Sequence, residues 1–224
     1  MDAATDVKSP AFQPWSRDKM AALVADDIPE GWYVNLGIGI PTLVANHVPL
    51  DREVIFHSEN GVLGMGPAPA TEDINPWLIN AGKQYVTLRK GGAYVHHADS
   101  FGMIRGGHLD LCCLGAFEVA HNGDIANWAT SENDTAPAVG GAMDLAAGAK
   151  RLWVIMEHKT KDGRSKMVQK CGYPLTAPRA VKRVYTNFGV FDVTPRGFEV
   201  RAIVPGMSRE TLQSHTDAPL HFAE

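Results

Sequence analysis

Three short stretches of the chain, Tyr85-Val86-Thr87-Leu88, Leu109-Asp110-Leu111-Cys112-Cys113-Leu114 and Leu152-Trp153-Val154-Ile155-Met156, are apolar almost without interruption. A strand with one wet face alternates polar and apolar residues. Unbroken runs of this length instead fit strands covered on both faces, as in parallel sheets flanked by helices. Trp32-Tyr33-Val34-Asn35-Leu36 and Val54-Ile55-Phe56-His57 read as two earlier strands. Ser16 can cap a helix in which Met20, Leu23, Val24 and Ile28 recur at helical spacing until Pro29-Glu30-Gly31 stops it. Pro41 suits the first turn of a second helix, through about Val48.

Towards the C-terminus, Val184-Tyr185-Thr186, Gly189–Val193 and Phe198–Ile203 read as smaller, more exposed strands. The last two pair across the turn Thr194-Pro195-Arg196-Gly197, and a final helix starts from Ser208. Strands alternating with helices predict α/β architecture: one domain over residues 16–220, built on an open, mostly parallel sheet flanked by helices. A loosely held arm over residues 1–15, with Pro10 and Pro14, precedes it. In such sheets ligands collect beyond the carboxyl ends of the strands, so the strand ends are where chemistry is sought.

The charge balance narrows the partners. A formal net charge of −4 gives no reason to expect nucleic acid or an anionic membrane. No run of about 18 apolar residues is present, and the acidic start, Met1–Asp6, lacks the layout of a signal peptide. Three cysteines, with Cys112 and Cys113 adjacent, make a poor disulfide framework and read as reduced thiols of a cytoplasmic protein. Cys113 lies in mid-strand, where a thiol would stay protonated and unreactive. His96 and His97, read as strand neighbours, would face opposite sides and could not share a metal. No ligand spacing supports a metal site elsewhere.

Three places could carry chemistry. Glu59 follows the strand Val54–Phe56 and precedes Asn60-Gly61, a turn dipeptide, so its carboxylate belongs at a strand's carboxyl end. A solvated turn glutamate is the plain alternative. Gly61, Gly64 and Gly66 around it would leave room for a large ligand. The loop Gly37-Ile38-Gly39-Ile40-Pro41 runs from strand to helix, where free backbone N–H groups could meet an anion, although the full dinucleotide fingerprint is missing. Gly140-Gly141-Ala142-Met143-Asp144-Leu145 could aim main-chain N–H groups at a developing oxyanion, or could be a simple loop-to-helix junction. Lys159–Arg164 reads as a solvated hairpin loop.

Gly37–Pro41, Ser58-Glu59-Asn60-Gly61, Ile79-Asn80-Ala81-Gly82-Lys83, Met103-Ile104-Arg105-Gly106-Gly107-His108 and Gly140–Leu145 occur together and in order. Together they resemble the B (β) subunit of the 3-oxoacid coenzyme A transferases, over roughly residues 16–220. The resemblance implies the coenzyme A transferase fold. It implies Glu59 as nucleophile, Gly140 or Gly141 as oxyanion N–H donor, and Lys83, with Asn60, Gly37 and Gly39, at the coenzyme. It also implies a partner A subunit, in an A2B2 heterotetramer, that carries much of the coenzyme-binding surface, since no Gly-rich pantetheine segment is present here. Coenzyme A enters as a thioester substrate, with no permanently bound cofactor.

The acetoacetate-using branch has a Pro-Gly-Lys run leading to Gly-Met-Gly-Gly; here Thr130–Val139 stands in its place. Ala138-Val139-Gly140-Gly141-Ala142-Met143-Asp144-Leu145-Ala146, with the Asp27-Ile28-Pro29-Glu30-Gly31 lead-in, is more similar to the 3-oxoadipate branch. The expected reaction is therefore succinyl-CoA plus 3-oxoadipate giving succinate plus 3-oxoadipyl-CoA. The rivals are the acetoacetate-using activity, a non-catalytic coenzyme A-binding module, and a sugar-phosphate isomerase or hydrolase. A dicarboxylate acceptor needs a cation for its remote carboxylate, and Arg89, Lys90 and Arg105 are equal candidates.

Overall fold

The computed structural model describes residues 12–131, 133–134 and 140–223, so most of the expected arm and of the Thr130–Val139 run lies outside the described residues. Helix α1 (Arg17–Asp27) begins where its cap predicts: the Ser16 hydroxyl accepts from the Lys19 N–H at 3.1 Å. Strands β1 (Tyr33–Leu36) and β2 (Ile55–Ser58) follow, separated by residues Ile40–Asn46. That connection is a 3-10 helix rather than an α-helix, with Pro41 in its first turn.

Strand β3 (Val62–Met65) turns back on β2, and β4 (Leu88–Tyr94) pairs with β3. The expected strand at 85–88 therefore starts three residues later; Tyr85 makes only an isolated bridge to Ile79. Helix α2 (His97–Arg105), unforeseen in the sequence, is capped by the His96 imidazole, so His96 and His97 sit at a helix start, not on a strand.

The rest of the chain builds outward. Strands β5 (Leu111–Leu114), β6 (Glu118–Ala120) and β7 (Ile125–Ala126) precede α3 (Ala142–Gly148). Then come β8 (Leu152–Met156), β9 (Met167–Val168), β10 (Val181–Thr186), β11 (Gly189–Thr194) and β12 (Gly197–Ile203). Helix α4 (Arg209–Ser214), capped by Ser208, and strand β13 (Leu220–Phe222) close the described chain.

Ten of these strands form one open sheet in the order β13-β12-β11-β10-β8-β5-β1-β2-β3-β4. Its centre, β10-β8-β5-β1-β2, is parallel, and antiparallel pairs flank it on both sides. A small separate sheet has the order β7-β6-β9.

The unbroken apolar runs are explained by two cores, one on each side of the sheet. Leu111 and Cys113 of β5 join Trp153 and Ile155 of β8 in a core with Met20 and Val24 of α1. Their neighbours Cys112, Leu114, Leu152, Val154 and Met156 point the other way, into a core with Ile104 of α2, Leu145 of α3 and Leu212 of α4. Strand β10 was expected to be exposed. Its Val184-Tyr185-Thr186 stretch is buried instead, each at 0% exposure, because the strand pairs directly with β8 inside the sheet.

Candidate active site

Strand β1 sits where the chain changes direction: from it the sheet grows through β2 on one side and β5 on the other. In parallel sheets such a reversal opens a crevice at the carboxyl ends of the strands. A cavity of about 550 Å³ lies there. Asn35, Leu36, Gly37 and Ile38 line it from the end of β1, Glu59 from the end of β2, and Leu114, Gly115 and Ala116 from the end of β5. Gly140, Gly141, Ala142 and Leu145 close it from the start of α3, while Ala81, Phe117, Asn127 and Lys166 complete the wall.

Glu59 is thus no plain solvated turn residue. Its loop closes with the Gly61 N–H donating to Ser58 O at 2.9 Å, and Gly61 takes φ +106°, a conformation that favours glycine. Two bonds fasten this loop to the segment that follows Ile79. The Ala81 N–H donates to Ser58 Oγ at 3.0 Å, and Asn60 Nδ2 donates to Ile79 O at 2.8 Å. Burial raises the Glu59 pKa and Asp144 adds to the rise, while His97 opposes it. A carboxylate held in this way is more basic, and so more nucleophilic, than one in water.

Below Glu59 lies a buried polar chain that the sequence did not announce. Asn35 Nδ2 donates to His57 O at 3.2 Å, which fixes the amide with its nitrogen towards His57. The same nitrogen lies 3.0 Å from His57 Nδ1, which must then accept. The imidazole proton therefore sits on Nε2 and donates to Ser100 Oγ at 2.8 Å. The ring stays neutral, with burial lowering its pKa to about 4. Among the described residues no buried side-chain nitrogen or oxygen lacks a partner. A signal was available in the sequence: Asn35 and His57 are polar residues inside apolar strand runs, and such residues need partners once buried.

Gly141 faces Glu59 directly. A Cβ built on Gly141 would collide with Glu59 Oε2 and stand 3.1 Å from Phe101 Cζ. Gly140 beside it takes φ +46° and has open space where its Cβ would be. The residues expected to supply nucleophile and oxyanion donors therefore share one cavity.

The coenzyme candidates divide. Gly37 lines the cavity, but its N–H is taken by Cys113 O at 2.8 Å. A side chain there would meet Leu114 Cδ2 at 2.9 Å, so this glycine serves the close approach of β1 to β5 rather than an anion cradle. Gly39, Asn60 and Lys83 are absent from the lining. Lys83 is exposed at φ +62°, on the segment that carries Ala81.

Two further expectations are corrected. Gly61, Gly64 and Gly66 do not clear space for a ligand: Cβ atoms there would strike Val95 O, the Gly92 backbone and Thr87 Oγ1, respectively. They let the neighbouring segments approach closely. Arg89 and Lys90 line a different cavity, of about 370 Å³, beside Tyr33 and Ile55, the first residues of β1 and β2. The Arg89 guanidinium is engaged there by the carbonyls of Leu50, Arg52 and Val54. Arg105 lies near the site but is held by Asp144, at 2.8 and 3.2 Å. The cation that does line the cavity, Lys166, was not foreseen; one lysine ahead of the short apolar pair Met167-Val168 carries little sequence signal. Cys113, by contrast, is buried as expected, with its thiol pushed up to about 12.

Residues 17–214 match the coenzyme A transferase family. The chain is 53% identical over 210 residues to the B (β) chain of the 3-oxoadipate CoA-transferase of Acinetobacter baylyi, covering 94% of this chain and 97% of that one. It is 44% identical over 202 residues to the B (β) chain of the succinyl-CoA:3-ketoacid coenzyme A transferase of Helicobacter pylori, covering 90% and 97%. Its fold is similar to the crystal structure of an acyl-CoA transferase apoenzyme from Escherichia coli O157:H7, with TM-score 0.71 and 21% identity over 97% of this chain and 43% of that chain.

Proposed function

The chain belongs to the coenzyme A transferase family, and from that premise we propose that it is the B (β) subunit of an enzyme carrying coenzyme A from succinyl-CoA to 3-oxoadipate, with Glu59 as covalent nucleophile. One observation carries the reading: a half-buried carboxylate of raised pKa, pressed against Gly141, in a largely apolar cavity at the sheet's reversal point. The higher identity to the 3-oxoadipate relative than to the 3-ketoacid relative favours 3-oxoadipate as acceptor.

A transferase must keep the thioester's free energy, so a carboxylate rather than water has to attack. Glu59 adds to the acyl carbonyl of succinyl-CoA and expels the coenzyme A thiolate, leaving a mixed anhydride. The thiolate then attacks the glutamyl carbonyl of the anhydride, forming a Glu59–CoA thioester and releasing succinate. The 3-oxoadipate carboxylate attacks that thioester, making a second anhydride and freeing the thiolate. Attack of the thiolate on the substrate-side carbonyl gives 3-oxoadipyl-CoA and restores the Glu59 carboxylate. Each step exchanges carboxylate and thiolate without net proton transfer, so no general base is required.

Each tetrahedral intermediate needs N–H donors. Gly140 and Gly141 are the candidates, one such donor being worth about 3–4 kcal/mol. The A subunit supplies the remaining coenzyme surface and excludes water that would hydrolyse the intermediates.

The test uses the complex of this chain with its A subunit. After incubation with succinyl-CoA, coenzyme A is expected on the peptide carrying Glu59, and Glu59→Ala should abolish transfer while leaving fold and assembly intact. A label on any other residue refutes the assignment. An acceptor comparison that favours acetoacetate over 3-oxoadipate would move the chain to the 3-ketoacid activity.

A further inference from the structure

Both acids in the proposed reaction are dicarboxylates, so each acyl group carries a free carboxylate remote from the thioester. Among the described residues, the cavity wall holds one basic side chain, Lys166, alongside Asn35, Asn127 and Glu59 as its other polar side chains. We infer that Lys166 is the residue that holds this remote carboxylate, in both half-reactions, and so selects dicarboxylate acyl groups. The inference deepens the reading of Glu59 as nucleophile and rests on it.

The placement of Lys166 is built into the backbone. Its N–H donates to His158 O at 3.0 Å and its carbonyl accepts from the Val119 N–H at 2.9 Å. The next residue, Met167, opens β9 and is fully buried in the core. Lys166 thus lines the cavity while the neighbouring Met167 is packed into the core. Its ammonium makes no hydrogen bond or ion pair among the described residues. Asn127 is already satisfied, donating to Gly115 O at 3.1 Å and accepting from Thr176 Oγ1 at 2.6 Å.

Burial lowers the Lys166 pKa, with Glu157 opposing, so the charge stands at a cost that an incoming carboxylate relieves. The same wall carries the apolar residues Leu36, Ile38, Leu114, Phe117 and Leu145, which suit a methylene chain. Succinyl and 3-oxoadipyl groups differ by two carbons in length. A flexible four-carbon lysine stem can follow that difference, where a rigid guanidinium fork would fit one length best.

The experiment compares acyl pairs with and without a remote carboxylate, in the assembled complex. Lys166→Met keeps the stem's bulk and removes the charge; Lys166→Gln serves as a second variant should the methionine disturb folding. The kcat/KM for succinyl-CoA with 3-oxoadipate is expected to fall on the order of 10- to 100-fold, mainly through KM. Transfer between acetoacetyl-CoA and acetate is expected to stay within about twofold, and Lys166→Arg to rescue partly. Inhibition by succinate, but not by butyrate, should weaken in parallel. Equal losses for both pairs, or no loss for either, overturn the role of Lys166. A wild-type complex that transfers nothing between either pair overturns the Glu59 reading, and this inference with it.

Discussion

Two adjacent glycines, Gly140 and Gly141, allow fold and chemistry to be perturbed separately. Gly141 has φ −87°, a backbone any residue adopts, and its missing Cβ would run into the Glu59 carboxylate. Alanine there gains about 0.4–1 kcal/mol from a less flexible unfolded chain. The atom in the way ends a flexible side chain, so the carboxylate turns aside and the backbone stays put. The fold should hold within about 1 kcal/mol. The nucleophile, displaced by roughly 1 Å, should lose on the order of 100-fold in the rate of Glu59–CoA formation.

Gly140→Ala is the opposite case. Its φ of +46° costs an L-residue about 1–2 kcal/mol, partly offset by the same unfolded-state gain, while the new methyl meets nothing within 4 Å. Stability should fall by up to about 1.5 kcal/mol, with Glu59 undisturbed. Denaturant titration of each variant, and single-turnover trapping of the covalent adduct in the complex, separate the two effects. A Gly141→Ala variant that forms the adduct at the wild-type rate would refute the reading of this glycine as space reserved for Glu59.

Other perturbations follow from the burial of charge. Glu59→Gln should raise the denaturation midpoint at pH 7: the raised folded-state pKa means that ionisation costs stability as pH climbs past the ordinary 4.5. That advantage should vanish below pH 4.5, and equal midpoints at pH 7 would contradict it. His57 and His158 are held neutral by burial, with pKa values lowered from 6.5 to about 4 and about 3. Stability they contribute is present above pH 6.5 and lost as pH falls, about 3 kcal/mol each by pH 4, and replacing either by Gln should flatten the acid limb of the stability curve. Gly61→Ala, at φ +106° and blocked by Val95 O, should cost at least about 2 kcal/mol by denaturant titration. Gly91→Ala, at φ +87° with nothing within 4 Å, should cost less.

What the sequence made legible was what local patterning controls. Ser16 caps the helix it was expected to cap, a final helix does start from Ser208, and the runs at Leu111–Leu114 and Leu152–Met156 are strands covered on both faces. Glu59 and the Gly140-Gly141 pair could be placed together because their motifs occur in order, and they line one cavity. What failed depended on contacts distant in sequence. Glycine clustering around Glu59 could not reveal that its purpose is strand approach at Val95, Gly92 and Thr87. Arg89 and Lys90 looked equal to any other cation until the sheet put them at the opposite strand ends. Lys166 belongs to the cavity only because β9 pairs with β6, a relation no short window contains.

The order in which the sheet is laid down carries a cost during synthesis. One of its parallel inner strands, β1, is made early and soon gains β2, but its other partner, β5, begins only at Leu111. At roughly 5–20 residues per second, residues 37–110 take about 4–15 s to emerge. Throughout that interval the nascent chain presents an apolar strand edge with no mate, the kind of template that seeds aggregation. High-level expression should therefore be limited by this waiting period, and slower initiation or a chaperone that shields the growing edge should improve soluble yield more than any change to the finished protein's surface.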